Sequence, residues 1–241
     1  MKLEKIYKFL DSISPFESQE KWDNSGLLLG NFEDEISTVY LSLDIDENLL
    51  DECSENSLLI THHPLIFKPL KNLANDLYPN SLVKTMVKKN ISLISLHTNY
   101  DKSHLNIYFT EEILGFKHYT QDNFLIYIDI ESTFSSLLTL LKQKLSLSMI
   151  KNAFCGKEKI NRIAICTGSG GDLIPFVKAD CFLSGDFKYH QALEAISNGL
   201  SLIDIGHFES EECFSKSLAN SLQNLPLKVI ITNSKNPFRL S

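Results

Sequence analysis

Ser57-Leu58-Leu59-Ile60-Thr61-His62-His63-Pro64-Leu65, SLLITHHPL, runs from a short apolar stretch straight into two adjacent histidines and a proline. The run 57–60 reads as a buried strand, and Pro64 keeps it from simply continuing. Within a regular strand, neighbouring side chains point to opposite faces, so two adjacent histidines do not serve one site from mid-strand. At a strand end, where the backbone turns into a proline-led loop, both reach one crevice. Open α/β sheets bind ligands at the carboxyl ends of their strands. The pair therefore predicts a sheet whose other strands end in matching chemistry.

Two other runs do. ISLISL (91–96) is followed by HTNYD, which places His97 and Asp101 just past a strand end. SLIDIG (201–206) is followed by HFESEE, and His207 and Glu211 stand at i and i+4, on one face of a helix that begins there. The three strand ends together deliver four imidazoles and two carboxylates. That set suits a borderline divalent ion such as Zn, Mn, Fe, Co or Ni, without sulfur ligands. Six groups exceed what one open catalytic ion takes; two ions about 3.5–4 Å apart, bridged by a carboxylate, use them fully. Each piece alone is weak, since an i,i+4 His/Glu pair is also an ordinary helix ion pair. The coincidence of three strand ends carries the metal reading. For His104 and His118 the structural or surface reading holds; His190 stays open.

Around these runs, strands alternate with helices: helix 2–11, strands 26–30, 38–45 and 57–60, helix 81–90, strand 91–96, helix 103–115, strand 124–130, helix 133–146, strands 162–166 and 181–185, helix 189–199, strand 201–206, helix 208–222 and strand 228–232. Asp46 is placed to cap a short helix through Ser54. Residues 64–80, with three prolines, read as a loop. This alternation predicts α/β architecture with largely parallel sheet. It divides into an N-terminal lobe over 1–120 and a C-terminal lobe over 121–241, whose last elements pack back on the first. The stretch 142–159 is less regular and marks a boundary or hinge.

The chain has 241 residues, 43% of them hydrophobic and 22% charged, enough for a substantial core. A net charge of −7 argues against a general binder of nucleic acid or acidic membrane, which needs a cationic face. The opening MKLEKIYKFLDSI intersperses lysines with apolar residues, as an amphipathic helix does and a signal peptide does not. No apolar run approaches membrane-spanning length. Five scattered cysteines, never in C-x-x-C spacing, point to a reduced, cytoplasmic protein.

Three further motifs have two readings each. TGSGGD (167–172) follows a strand and either presents amides to a phosphate or forms a tight turn; it lacks the lysine of a P-loop. GDFKYH (185–190) offers Lys188 and His190 to an anion or to solvent. WDNSG (22–26) supplies turn residues in Asp23, Asn24 and Gly26, with Trp22 available to line a pocket.

WDNSGLLLG (22–30), THHPLIF (61–67), LHTNYD (96–101), ICTGSGGDLI (165–174), SGDFKYHQALEA (184–195) and IDIGHFESE (203–211) together resemble the GTP cyclohydrolase 1 type 2 homologues, or Nif-three-like proteins, in order and over nearly the whole chain. The resemblance implies two similar α/β lobes with a dinuclear metal site in the cleft between them and no inserted middle domain. It also implies a toroidal homohexamer. It carries the metal ligands over to His62, His63, Asp101, His207 and Glu211, with Asp101 as the natural bridge and two divalent ions per chain. His97 matches a histidine close to the metals, a ligand or an acid–base group. A two-metal site acidifies water and stabilises developing charge, so metal-dependent hydrolysis is the expected activity, with His97 or Glu211 handling a proton. The family name implies ring opening of GTP with release of formate. A nucleotide phosphoesterase, or a non-catalytic metal-binding or regulatory interaction module, would use the same ligands.

Overall fold

The computed structural model describes residues 1–239. The described strands are β1 (Gly26–Leu29), β2 (Thr38–Ser42), β3 (Leu58–Thr61), β4 (Ser92–Ser95), β5 (Thr120–Asp122), β6 (Leu125–Thr133), β7 (Lys151–Ala153), β8 (Lys159–Ser169), β9 (Cys181–Gly185), β10 (Ser201–Asp204) and β11 (Lys228–Ile231). The protein is α/β, and the chain divides into two compact units, each with its own sheet. The first comprises Met1–Ser103 and the segment from Phe214 onward; the second is His104–Cys213.

In the first unit the strands lie in the order β1-β4-β3-β2-β11. β11, β2, β3 and β4 run parallel, and β1 closes the edge antiparallel to β4. All four residues of β3 and of β4 are buried, as expected for parallel strands covered on both faces. Helix Leu3–Ile13 buries Leu3, Ile6 and Leu10, the i, i+3, i+7 stripe of an amphipathic helix. Asp46 caps helix Glu47–Glu52, its carboxylate accepting from Leu49 N at 2.8 Å. The core gathers Leu49, Leu59, Leu82, Val83, Met86 and Leu93 around the central strands. Leu59 is fully buried, so truncation to alanine costs about 2–5 kcal/mol.

The second unit is ordered β5-β6-β8-β9-β10-β7. β8, β9 and β10 are parallel, whereas β5, β6 and β7 pair antiparallel. The expectation of a largely parallel sheet therefore holds only for the middle of this one. The cause is local: β5 and β6 are joined by the two residues Asn123 and Phe124, with Asn123 at φ +55°, and so tight a connection returns the chain antiparallel. The expected hinge at 142–159 contains β7, which pairs with β10.

Helical structure begins at Thr98, earlier than the expected residue 103, and continues through alternating α and π turns to Leu114. Gly115, at φ +88°, ends it. Asp101 consequently lies in the first turns of a helix that starts directly after β4.

Candidate metal centre

Strand register explains how the first unit assembles its part of the site. Thr61 pairs with Ser95 across β3 and β4, which brings His62 beside Leu96. His62 Nδ1 donates to Leu96 O at 2.8 Å. A carbonyl only accepts, so the proton of the neutral ring sits on Nδ1 and Nε2 carries a lone pair of the kind that can bind a metal. Likewise Ser42 pairs with Thr61 across β2 and β3. Asp44, two residues past β2, holds His63 Nδ1 at 2.7 Å.

His97, two residues past β4, is held by a third oxygen. Its Nδ1 lies 2.7 Å from Asp23 Oδ1. Asp23 Oδ2 also accepts from the Thr98 amide at 3.0 Å and from the Thr98 hydroxyl. Burial opposes ionisation of Asp23, but the His97 hydrogen bond and charge and the Thr98 donors outweigh it and hold the carboxyl well below the usual carboxylate range. Asp23 is therefore the acceptor and His97 Nδ1 the donor. One ring nitrogen from each of His62, His63 and His97 lies within 4.8 Å of the others, close enough to hold a metal ion.

Asp101 Oδ1 is 3.5 Å from His62 Nε2, the long limit of a hydrogen bond. Two ligands of one tetrahedral ion with bonds of about 2.1 Å stand roughly 3.4 Å apart. His62 is completely buried and Asp101 nearly so, and a buried carboxylate is costly without a cation. The donor types, spacing and burial of this set fit a divalent ion.

In the second unit, Gly206, at φ +81°, turns the chain from β10 into helix His207–Glu211. His207 Nδ1 is held by Asp186 Oδ2 at 2.7 Å, and its Nε2 lies 3.0 Å from Glu211 Oε2. Asp186 follows β9, and Asp204 of β10 pairs with Ser184 of β9. The device matches that of the first unit: an aspartate just past one parallel strand orients a histidine just past its neighbour. Glu211 is buried. Gly168, at φ +65°, makes room for it, because a Cβ there would overlap the Glu211 carboxylate.

The glycine-rich stretch resolves toward the tight-turn reading. Thr167 N donates to Asn106 Oδ1 at 2.7 Å, Gly168 N to Ser210 Oγ at 2.9 Å and Gly170 N to Ser184 Oγ at 2.8 Å. These amides are committed to the protein's own side chains. His190 and Lys188 are exposed at the start of helix Tyr189–Ser197, and His118 is exposed.

Thus one unit brings together His62, His63, His97 and Asp101, and the other brings together His207 and Glu211. Sequence reasoning missed the three aspartates that orient the rings. Asp23 reads as a turn residue, and Asp44 and Asp186 have no local mark beyond following a strand. Ser234 is a further support: its Oγ accepts from Leu43 N at 3.1 Å and Asp44 N at 3.3 Å, and it shares a hydrogen bond with Ser42 Oγ at 2.9 Å. It thereby fixes the turn that carries Asp44.

Fold and donor groups define a class: an α/β protein of two sheet-based units whose strand ends present imidazoles and carboxylates suited to divalent cations. Residues 1–237 match the family model Duf34/NIF3 (NGG1p interacting factor 3), and the chain belongs to that family. A Campylobacter jejuni protein named GTP cyclohydrolase 1 type 2 homolog is 66% identical over 239 residues, covering 99% of each chain. A Helicobacter pylori protein (strain J99) named GTP cyclohydrolase 1 type 2 is 38% identical over 242 residues, covering 99% of this chain and 98% of its own. Among solved structures, a Staphylococcus aureus hypothetical protein superposes with TM-score 0.87 at 25% identity, covering 100% of this chain and 99% of its own. Reduced HcgD from Methanocaldococcus jannaschii superposes with TM-score 0.82 at 26% identity, covering 96% and 97%. No helix among the described residues is long and apolar enough to cross a membrane.

Proposed function

We propose that this chain is a metal-dependent hydrolase that opens the imidazole ring of GTP and releases formate. The observation that carries the proposal is the oriented imidazole set: His62, His63, His97 and His207 each have Nδ1 held by an oxygen, which makes Nε2 the nitrogen that would meet a cation or a proton. The relatives' names support the choice of GTP.

In this reading His62, His63, Asp101, His207 and Glu211 hold two divalent ions of the Zn, Mn, Fe, Co or Ni group. When bound, such ions supply Lewis-acid stabilisation and acidify water at neutral pH. His97 moves the proton at Nε2, since Asp23 keeps its other nitrogen as a donor. Glu211, buried beside His207, is the second group placed to take a proton. The homohexamer that the resemblance implies belongs to the same proposal, and light scattering tests it as six times the 27.4 kDa chain mass.

The test joins metal content to turnover. Protein purified without chelator is assayed for metals per chain, and the Mn-, Zn-, Fe- and Co-loaded forms are incubated with GTP and a nucleotide panel. Formate release that is lost in Asp101→Ala is the expected result. Phosphate release without formate would replace the cyclohydrolase with a phosphoesterase. Two tightly held ions and no turnover across the panel would leave a metal-binding module.

A further inference from the structure

Two large aromatic side chains stand in solvent beside His97. Trp22 is 60% exposed and Phe67 42% exposed. Their ring centroids are 6.0 Å apart, and they lie 6.2 and 6.3 Å from the His97 ring, which meets both edge-on. Neither belongs to the core cluster around Leu59 and Leu93. Their positions are nonetheless pinned. Asn24 Nδ2 donates to Ile66 O at 2.5 Å and ties the Trp22 loop to the segment bearing Phe67. Asp23 anchors the same loop to His97, and Ser25 Oγ accepts from His97 N at 3.1 Å. Exposed apolar surface held this firmly beside reactive groups marks a binding site.

We infer that the exposed Trp22 ring is a stacking platform for a planar heteroaromatic ring, walled by the Phe67 ring inclined at 60° to it and seated next to His97. The inference deepens the proposed function by assigning a subsite for the substrate's ring system, and it rests on that reading for the identity of the ring. Flat aromatic faces take purines through stacking, which tolerates differences in ring substituents. Phosphates gain nothing from such a surface. The platform thus recognises the base, and the triphosphate contributes nothing there.

Trp22 is the chain's single tryptophan, so its fluorescence reports this position directly. The full-length protein is titrated with guanosine, GTP and inorganic triphosphate. Guanosine and GTP are expected to give a saturable change in Trp22 emission, and triphosphate none. Equilibrium dialysis with guanosine is expected to show about tenfold weaker binding in Trp22→Ala. Trp22→Phe, which keeps an aromatic face, should stay within about threefold of the parent, and Phe67→Ala should fall between the two.

Unchanged guanosine binding in Trp22→Ala overturns the platform. So does the absence of any emission change with guanosine and GTP, or a smaller assembly for Trp22→Ala with guanosine affinity intact, which would make the rings a contact between copies. Formate release measured on the same samples separates the two proposals. Guanosine that stacks on Trp22 without GTP turnover sinks the hydrolase and keeps the platform; GTP turnover with an unaltered KM in Trp22→Ala does the reverse.

Discussion

His97 Nδ1 and Asp23 Oδ1 lie 2.7 Å apart although 74 positions separate them in the chain. The carboxylate is buried and also takes both donors of Thr98, so it fixes the tautomer of the imidazole and the loop that carries it at once. An asparagine would keep one oxygen acceptor but turn an N–H toward donors. Asp23→Asn is expected to lower metal affinity or formate release about 10–100-fold. A chelator competition run beside steady-state kinetics shows which of the two falls; no change in either would remove Asp23 from the site.

The same carboxyl sets a pH dependence in the metal-free protein. Its folded pKa is depressed, so its stabilising contribution is present above the unfolded value of about 3.9 and is lost as pH falls toward the lower folded value. Urea melts of wild type and Asp23→Asn should therefore differ by a constant margin down to about pH 5, begin to converge below about pH 4, and meet only as pH approaches the depressed folded value. A margin that vanishes already between pH 7 and 5 would assign it to another group.

Asp44 and Asp186 orient His63 and His207 in different units by one device, and each replacement by alanine is expected to weaken metal binding about 10–100-fold while the fold persists. Metal competition and thermal melts test this together. His118→Ala and His190→Ala, which alter exposed histidines outside both ligand sets, should leave metal affinity unchanged.

Gly168 and Gly156 separate backbone strain from crowding. Both have positive φ, +65° and +92°, but a Cβ at Gly156 meets open space and one at Gly168 meets the Glu211 carboxylate. Alanine at either position costs about 1–2 kcal/mol of strain. Only Gly168→Ala should also lose bound metal, read as ions per chain after dialysis.

The strand ends were legible because their chemistry is local. SLLI followed by HHP, ISLISL followed by HTNYD and SLIDIG followed by HFESE each show apolar strand and polar donor side by side, and the helix that puts His207 four residues from Glu211 needs only its own spacing. The orienting carboxylates were not legible, because each acts across a register. Asp44 reaches His63 only when β2 lies beside β3, and Asp186 reaches His207 only when β9 lies beside β10. Asp23 comes from a loop whose turn composition fully accounts for its residue types. The antiparallel edges of the second sheet escaped for a related reason: β5 and β7 are three residues each, too short to show a period.

The grip of Ser234 on the Asp44 turn links the site to the direction of protein synthesis. His63 and Asp44 leave the ribosome early, yet β11, which pairs with β2, and Ser234, which accepts from the Asp44 amide, follow only after the whole second unit has been made. Domains form as their residues emerge, so the first unit must wait, half built, while residues 104–213 are translated. A nascent chain stalled before residue 228 is expected to bind metal poorly until release lets β11 pair with β2. The support of the Asp44 turn thus depends on residues made after the second unit, and a stalled-chain metal-capture assay that finds full binding before that point would break the link.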